Sequence, residues 1–157
     1  MAIIFFKTYT VDVKNTLRKR LLALREAQSE AVKHRKDARI LARLRGFSVF
    51  KKSKEFFMYL AHRGEVSTDS LIASEIKKKM IVIPKIGKNR TLHLYELTDP
   101  SALAHGRFGI REPLAHLPQK KFKKIEVALI PGIAFDETGH RIGFGGGSGL
   151  EAGAEAL

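Results

Sequence analysis

Three short apolar runs constrain this chain most: Phe56-Phe57-Met58-Tyr59-Leu60, Met80-Ile81-Val82-Ile83-Pro84 and residues 125–130, the last running into Pro131-Gly132. A strand with one wet face alternates apolar and polar residues, whereas these runs are apolar on both faces, as strands buried on both sides are. Residues 91–97 do alternate and predict a half-exposed strand. Helical spacing fills the gaps. Leu17, Leu21, Leu22 and Leu24 recur along residues 13–33 behind Asp12, a suitable N-cap. Ile40, Leu41 and Leu44 mark a second helix over residues 34–44, which Gly46 would end. Ser67-Thr68-Asp69 predicts the start of a third, running through Leu71, Ile72 and Ile76 to Lys79, and Pro84 is expected to stop the strand after it. Buried strands alternating with helices predict an α/β fold, a mostly parallel sheet covered by helices.

At 157 residues the chain has room for one such domain. Residues 1–12 open with the apolar Met1-Ala2-Ile3-Ile4-Phe5-Phe6, cut short by Lys7, and are expected to be an N-terminal extension or edge strand. No stretch approaches the roughly 18 apolar residues of a membrane-spanning helix, so no membrane partner is expected. The chain has no cysteine, which excludes disulfides, thiolate metal sites and a cysteine nucleophile and suits a cytoplasmic protein. Its six histidines show no pair at i,i+4, so no zinc site is expected.

Charge narrows the partners. The net charge is +13, and residues 1–60 hold 15 Lys or Arg against 5 Asp or Glu. Such a surface draws anions, which leaves two classes open: a nucleic-acid-binding module and an enzyme for anionic substrates. Lys14 and Arg18 share one helix face, where like charges repel unless an anion lies between them or the face is simply solvated. The strongest local pattern is Pro131-Gly132-Ile133-Ala134-Phe135-Asp136 followed by Arg141-Ile142-Gly143-Phe144-Gly145-Gly146-Gly147. It lies beyond the carboxyl end of a buried strand, where open α/β sheets bind ligands. Its glycines let backbone N–H groups approach a phosphate, and Arg141 can neutralise the charge. Glu65, after the strand-end Leu60, is suited to accept N–H donors from a heterocycle, or to sit as a turn residue near a helix N-terminus.

Order makes these patterns specific. Lys14-x-x-x-Arg18 comes first, then Tyr59-Leu60, Gly64-Glu65-Val66-x-Thr68 and Ile81-Val82-Ile83-Pro84. Phe108-Gly109-Ile110-x-Glu112-Pro113 follows, and the two glycine motifs close the series. Across residues 13–147 this series resembles the 5-formyltetrahydrofolate cyclo-ligases, also called methenyltetrahydrofolate synthetases. The resemblance implies a Rossmann-like, three-layer α/β/α sandwich. It also implies ATP-dependent conversion of 5-formyltetrahydrofolate, with or without a polyglutamate tail, into 5,10-methenyltetrahydrofolate, ADP and phosphate, with Mg2+. On that reading Lys14 and Arg18 hold ATP phosphates, Arg141 is the catalytic cation, and Gly143, Phe144, Gly145, Gly146 and Gly147 cradle the nucleotide. Leu60 and Glu65 line and orient the pterin, with Phe144 to Gly147 touching the folate as well. A monomer is expected, and nucleic acid is not.

The chain departs from the family pattern after Gly147. Ser148-Gly149-Leu150-Glu151 stands where the family has Tyr-Tyr-Asp-Arg, so no residue matches the expected metal-binding aspartate. The expectation is therefore a domain over residues 13–147 lacking its C-terminal elements, and a low-complexity tail over residues 148–157. A catalytically impaired, ATP-binding remnant of the family is the alternative to an active enzyme.

Overall fold

The computed structural model describes residues 11–88, 91–106, 109–121 and 125–144. The expected N-terminal extension, the tail, Phe108 and Gly145 to Gly147 lie outside them wholly or nearly so. Five strands form the central sheet: β1 (Glu55–Met58), β2 (Met80–Ile86), β3 (Leu92–Leu97), β6 (Gln119–Lys120) and β7 (Val127–Leu129). Their order is β6-β3-β2-β1-β7. β1 runs parallel to both β2 and β7, while β3 is antiparallel to β2 and to β6, so four of the five strands share one direction. The mostly parallel sheet expected from the three apolar runs is there. Two ribbons complete the strands: β4 (Leu103–His105) with β5 (Arg111–Pro113), and β8 (Ala134–Phe135) with β9 (Arg141–Ile142).

Apolar alternation sends neighbouring side chains to opposite faces of the sheet. Phe56, Met58, Ile81 and Ile83 face one way and join Leu41, Phe50, Leu71 and Ile72 in the main core. These last four belong to α2 (Glu30–Gly46), α3 (Ser48–Lys52) and α4 (Asp69–Glu75). Phe57, Val82 and Leu94 face the other way, with Ile125, Ala128 and Ile130 packed beside them. Among the described residues no helix adds a side chain to that second cluster, so two layers of the expected sandwich are on view. Each of these fully buried side chains contributes roughly 1.5–3 kcal/mol by leaving water.

Three boundaries differ from expectation. The first helix does not continue to Lys33: α1 (Val11–Glu26) stops, and Ser29 begins α2 with its side chain accepting a hydrogen bond from Val32 N–H. An N-cap serine outcompetes helical continuation by satisfying an orphan N–H of the following helix. The helix expected to reach Lys79 ends at Glu75, because the Lys79 ammonium instead donates to the carbonyls of Phe50 (2.8 Å) and Ser53 at the end of α3. Cations are favoured there by the helix dipole. Pro84 does not stop β2. The pairing with β1 ends at Val82, so the N–H that proline lacks lies beyond that ladder, as in an edge strand. Nor does Thr68 cap α4 through its side chain; its hydroxyl donates to Tyr59 C=O at 3.2 Å. The short helix α3 carried no sequence signal strong enough to separate it from α2. No helix among the described residues is long and apolar enough to cross a membrane.

Candidate functional site

The parallel strands β1 and β7 deliver two turns to the same end of the sheet. After β1, Arg63 and Gly64 both adopt positive φ (45° and 70°), and Glu65 N–H donates to His62 C=O at 3.1 Å. This tight reversal leaves Glu65 only 9 % exposed, with Oε2 accepting from His62 N–H at 2.9 Å. Burial raises the carboxyl above its usual range, against the opposing pull of that N–H and of the Arg25 guanidinium. Tyr59 stands below with its hydroxyl donating to Val66 C=O at 3.0 Å, its acidity suppressed chiefly by burial and secondarily by Glu65 and Asp37. Leu60 is buried and belongs to the main core.

After β7, Pro131-Gly132-Ile133 turns the chain into β8. Arg141 on β9 reaches back and donates to Pro131 C=O at 2.8 Å. Gly132 is required by close approach: a Cβ there would lie 2.5 Å from the Phe135 ring and 3.1 Å from the Arg141 stem. Between β8 and β9, Asp136 accepts from the Thr138 hydroxyl and from the His140 N–H at 2.8 Å each. These bonds, the Thr138 hydroxyl foremost, bring its pKa down to about 2.

Helix α1 lies against both turns. Arg18 Nε donates to Gly143 C=O at 2.7 Å, joining residues 125 positions apart in the chain. Arg25 Nη2 donates to Gly132 C=O at 2.7 Å and to Ile133 C=O at 3.2 Å. Its stem rests on Gly64, where a Cβ would meet Arg25 Cγ at 3.1 Å. Lys14 is exposed on the same helix and, among the described residues, forms no hydrogen bond or ion pair.

A cleft of about 650 Å3 opens beside these turns, between α2 and the ends of β1 and β7. Its apolar walls include Ile40, Phe47, Leu129 and Phe135, and its charged lining includes Arg25, Lys36, Arg43 and Glu65. Of the residues given a binding or catalytic role from the sequence, Glu65 lines this cleft, together with motif neighbours such as Tyr59, Gly64, Thr68, Gly132 and Phe135. Arg18, Arg141, Gly143 and the exposed Phe144 are not part of this lining; Arg18 is tied to Gly143 and Arg141 to Pro131. The structure thus brings Arg18 to Gly143 and Arg141 to Pro131, and leaves Lys14 free-standing. Sequence reasoning missed Arg25, which reaches the Gly132 and Ile133 carbonyls, and Asp37, a buried carboxylate that accepts from Lys33 Nζ (2.6 Å) and Ser67 N–H (3.1 Å); Tyr59 was quoted in a motif but given no role. Arg25 was one basic residue among 29, and no local motif distinguishes it.

A mostly parallel sheet, two turns beyond its carboxyl ends and arginines tied to a glycine-edged loop define an α/β protein with an anion-suited sheet-end site. The chain belongs to the 5-formyltetrahydrofolate cyclo-ligase family, whose model matches residues 10–151. It is 27% identical over 144 residues to a probable 5-formyltetrahydrofolate cyclo-ligase of Caenorhabditis elegans, covering 87% of this chain and 70% of that protein. It is 30% identical over 102 residues to the 5-formyltetrahydrofolate cyclo-ligase of Haemophilus influenzae, covering 62% of this chain and 54% of that one. The chain therefore spans little more than half the length of the second relative. An NMR structure of Aquifex aeolicus 5,10-methenyltetrahydrofolate synthetase superposes with a TM-score of 0.79 at 32% identity, over 88% of this chain and 71% of the other. A Mycoplasma pneumoniae 5,10-methenyltetrahydrofolate synthetase shares the fold at a TM-score of 0.71 and 24% identity, over 92% and 78% of the two chains.

Proposed function

We propose that this protein binds ATP and 5-formyltetrahydrofolate and converts them to 5,10-methenyltetrahydrofolate, ADP and phosphate. The observation that carries the reading is the bond from Arg18 to Gly143 C=O, which draws the basic face of α1 onto the glycine loop. Lys14, Arg18 and Arg141 then surround one end of the ligand with positive charge, where the transferring phosphoryl group needs it. Gly143, Phe144 and the Gly145-Gly146-Gly147 run complete the nucleotide cradle and touch the folate. Glu65 accepts the pterin N–H groups, with Leu60 in the core close by in the chain.

The chemistry asks chiefly for positioning. The formyl oxygen takes the γ-phosphoryl group from ATP, N10 attacks the activated formyl carbon, and the former formyl oxygen departs with phosphate. Arg141 and Arg18 offset the charge that moves onto ADP, and the two turns hold the reacting groups in line. Among the described residues no three His, Cys, Asp or Glu groups stand together as metal ligands. The described side chains do not form a protein-held Mg2+ site, so no step is derived through one; Mg2+ enters this reading with the nucleotide, whose phosphate oxygens are hard ligands for it. The same reading takes the protein to be a cytoplasmic monomer, in keeping with a chain free of cysteine.

A thermal melt with and without Mg-ATP and 5-formyltetrahydrofolate tests the proposal. Each ligand at 100 times its dissociation constant adds about 2.7 kcal/mol, an upward shift of about 5–10 °C for a domain this size. Lys14→Ala and Arg141→Ala are expected to abolish most of the ATP-induced shift while leaving the folate-induced one. A cooperative transition that neither ligand moves would sink the reading.

A further inference from the structure

Lys14, Arg18 and Arg25 lie along one stripe of α1, since at about 100° per residue the three fall within about 40° of each other. The first two serve the glycine-loop side of the site in the reading above. Arg25 touches both sides. Its Nη2 holds the Gly132 and Ile133 carbonyls, its stem packs on Gly64, and it lines the cleft that contains Glu65. Its remaining terminal nitrogen, Nη1, is buried and without a hydrogen-bond partner among the described residues. An unpaired guanidinium nitrogen in such a place is costly and calls for an explanation, a role in the site being one. Arg25 and Glu65 form no ion pair within 4.0 Å among the described residues, so each charge stays available across the gap between them.

We propose that Arg25 is a positioning residue that couples the two halves of the site, fixing the Pro131–Ile133 turn on the phosphate side and seating Glu65 on the heterocycle side. The inference rests on the function proposed above for its ligands, and on geometry alone for the coupling. One guanidinium then sets the distance between the nucleotide loop and the carboxylate, which is the distance between the two reactants. Arg25 from α1 and the His62 N–H act on Glu65 directly, Tyr59 from the end of β1 stands beside it, and Asp37 and Lys33 from α2 line the same cleft. Lys33 is paired with Asp37, and Arg25 is the cation that acts on Glu65.

The test compares the wild-type chain with Arg25→Met and Arg25→Lys. Three readouts are taken: the NMR titration of the Glu65 carboxyl, the amide shifts of Gly132 and Ile133, and calorimetric affinities for Mg-ATP and 5-formyltetrahydrofolate. Arg25→Met is expected to move the Glu65 midpoint upward, displace both amide signals and weaken each ligand by at least about tenfold. Arg25→Lys restores the Glu65 midpoint, because its charge is kept, but not the amide signals, because one ammonium cannot reproduce the forked donor. A folded Arg25→Met with unchanged Glu65 midpoint and unchanged Gly132 and Ile133 signals overturns the proposal. If Arg25→Met does not fold, Arg25→Lys decides it: displaced amides with an unmoved Glu65 support coupling, and unmoved amides refute it. If the wild-type chain binds neither ligand while both NMR probes respond, the coupling stands and the ligand assignment falls.

Discussion

Glu65 is held in a place that suits a ligand better than it suits the folded chain. Its carboxyl is buried, which lifts its pKa above the ordinary glutamate value of 4.5, while a backbone N–H and Arg25 partly offset the cost of its charge. A raised carboxyl binds a proton more tightly folded than unfolded, so its burial destabilises the chain increasingly as pH climbs from 4.5 through the folded-state value. Glu65→Gln removes that penalty. The variant is expected to melt higher than wild type at neutral pH, to lose this advantage near pH 4, and to bind 5-formyltetrahydrofolate more weakly. Parallel melting curves across pH 4–8 check it; a variant less stable at neutral pH would mean the charged carboxylate is net stabilising. Glu65, Arg18 and Arg141 were legible because each sits in a short motif whose chemistry is local. Arg25 and Asp37 were not, since their significance lies in what they touch: a glycine 39 positions later and the N–H of Ser67.

At the scale of elements, the β1–α4 turn is the part whose geometry the site most depends on. Gly64 combines a φ of 70° with the Arg25 stem lying against its missing side chain. Gly64→Ala must adopt left-handed backbone and push Arg25 aside, and is expected to cost about 1–2 kcal/mol in denaturant midpoint from the backbone alone. Glu65 and Arg25 would move together, so ligand affinity falls with stability. A variant of wild-type stability would mean the turn relaxes into another conformation. The buried strands were easily read, because an apolar run on both faces has few other uses in a chain of this length. Helix ends were read less well. Ser29 inside a basic, leucine-bearing stretch looks like an interior residue until its capping bond to Val32 is seen, and Lys79 looks like a helical residue until its ammonium is found on the carbonyls of α3.

Taken whole, the molecule is strongly cationic, at +13, and of its seven described ion pairs three are exposed on both sides. Repulsion among the remaining charges works against compactness, over a reach that falls from about 30 Å at 0.01 M salt to about 8 Å at 0.15 M. Its melting temperature is therefore expected to rise with sodium chloride over that interval, and differential scanning calorimetry reads the shift directly. A fall would mean that the ion pairs outweigh the repulsion. The expected parallel sheet is present because patterning decides the layer architecture. The join between α1 and the glycine loop could not be read the same way, as it pairs arginines with backbone carbonyls, and every residue has one of those.

The span of 125 positions between Arg18 and Gly143 also orders events in time. As the chain leaves the ribosome, β1, β2 and β3 are complete and can associate while α1 still has nothing to hold on the far side. Closing a loop of that length costs about 4 kcal/mol of chain entropy, offset only when β8 and β9 arrive. Helix α1 thus waits on a segment made 125 positions later, and its bond to the Gly143 carbonyl forms only after β9 has been synthesised.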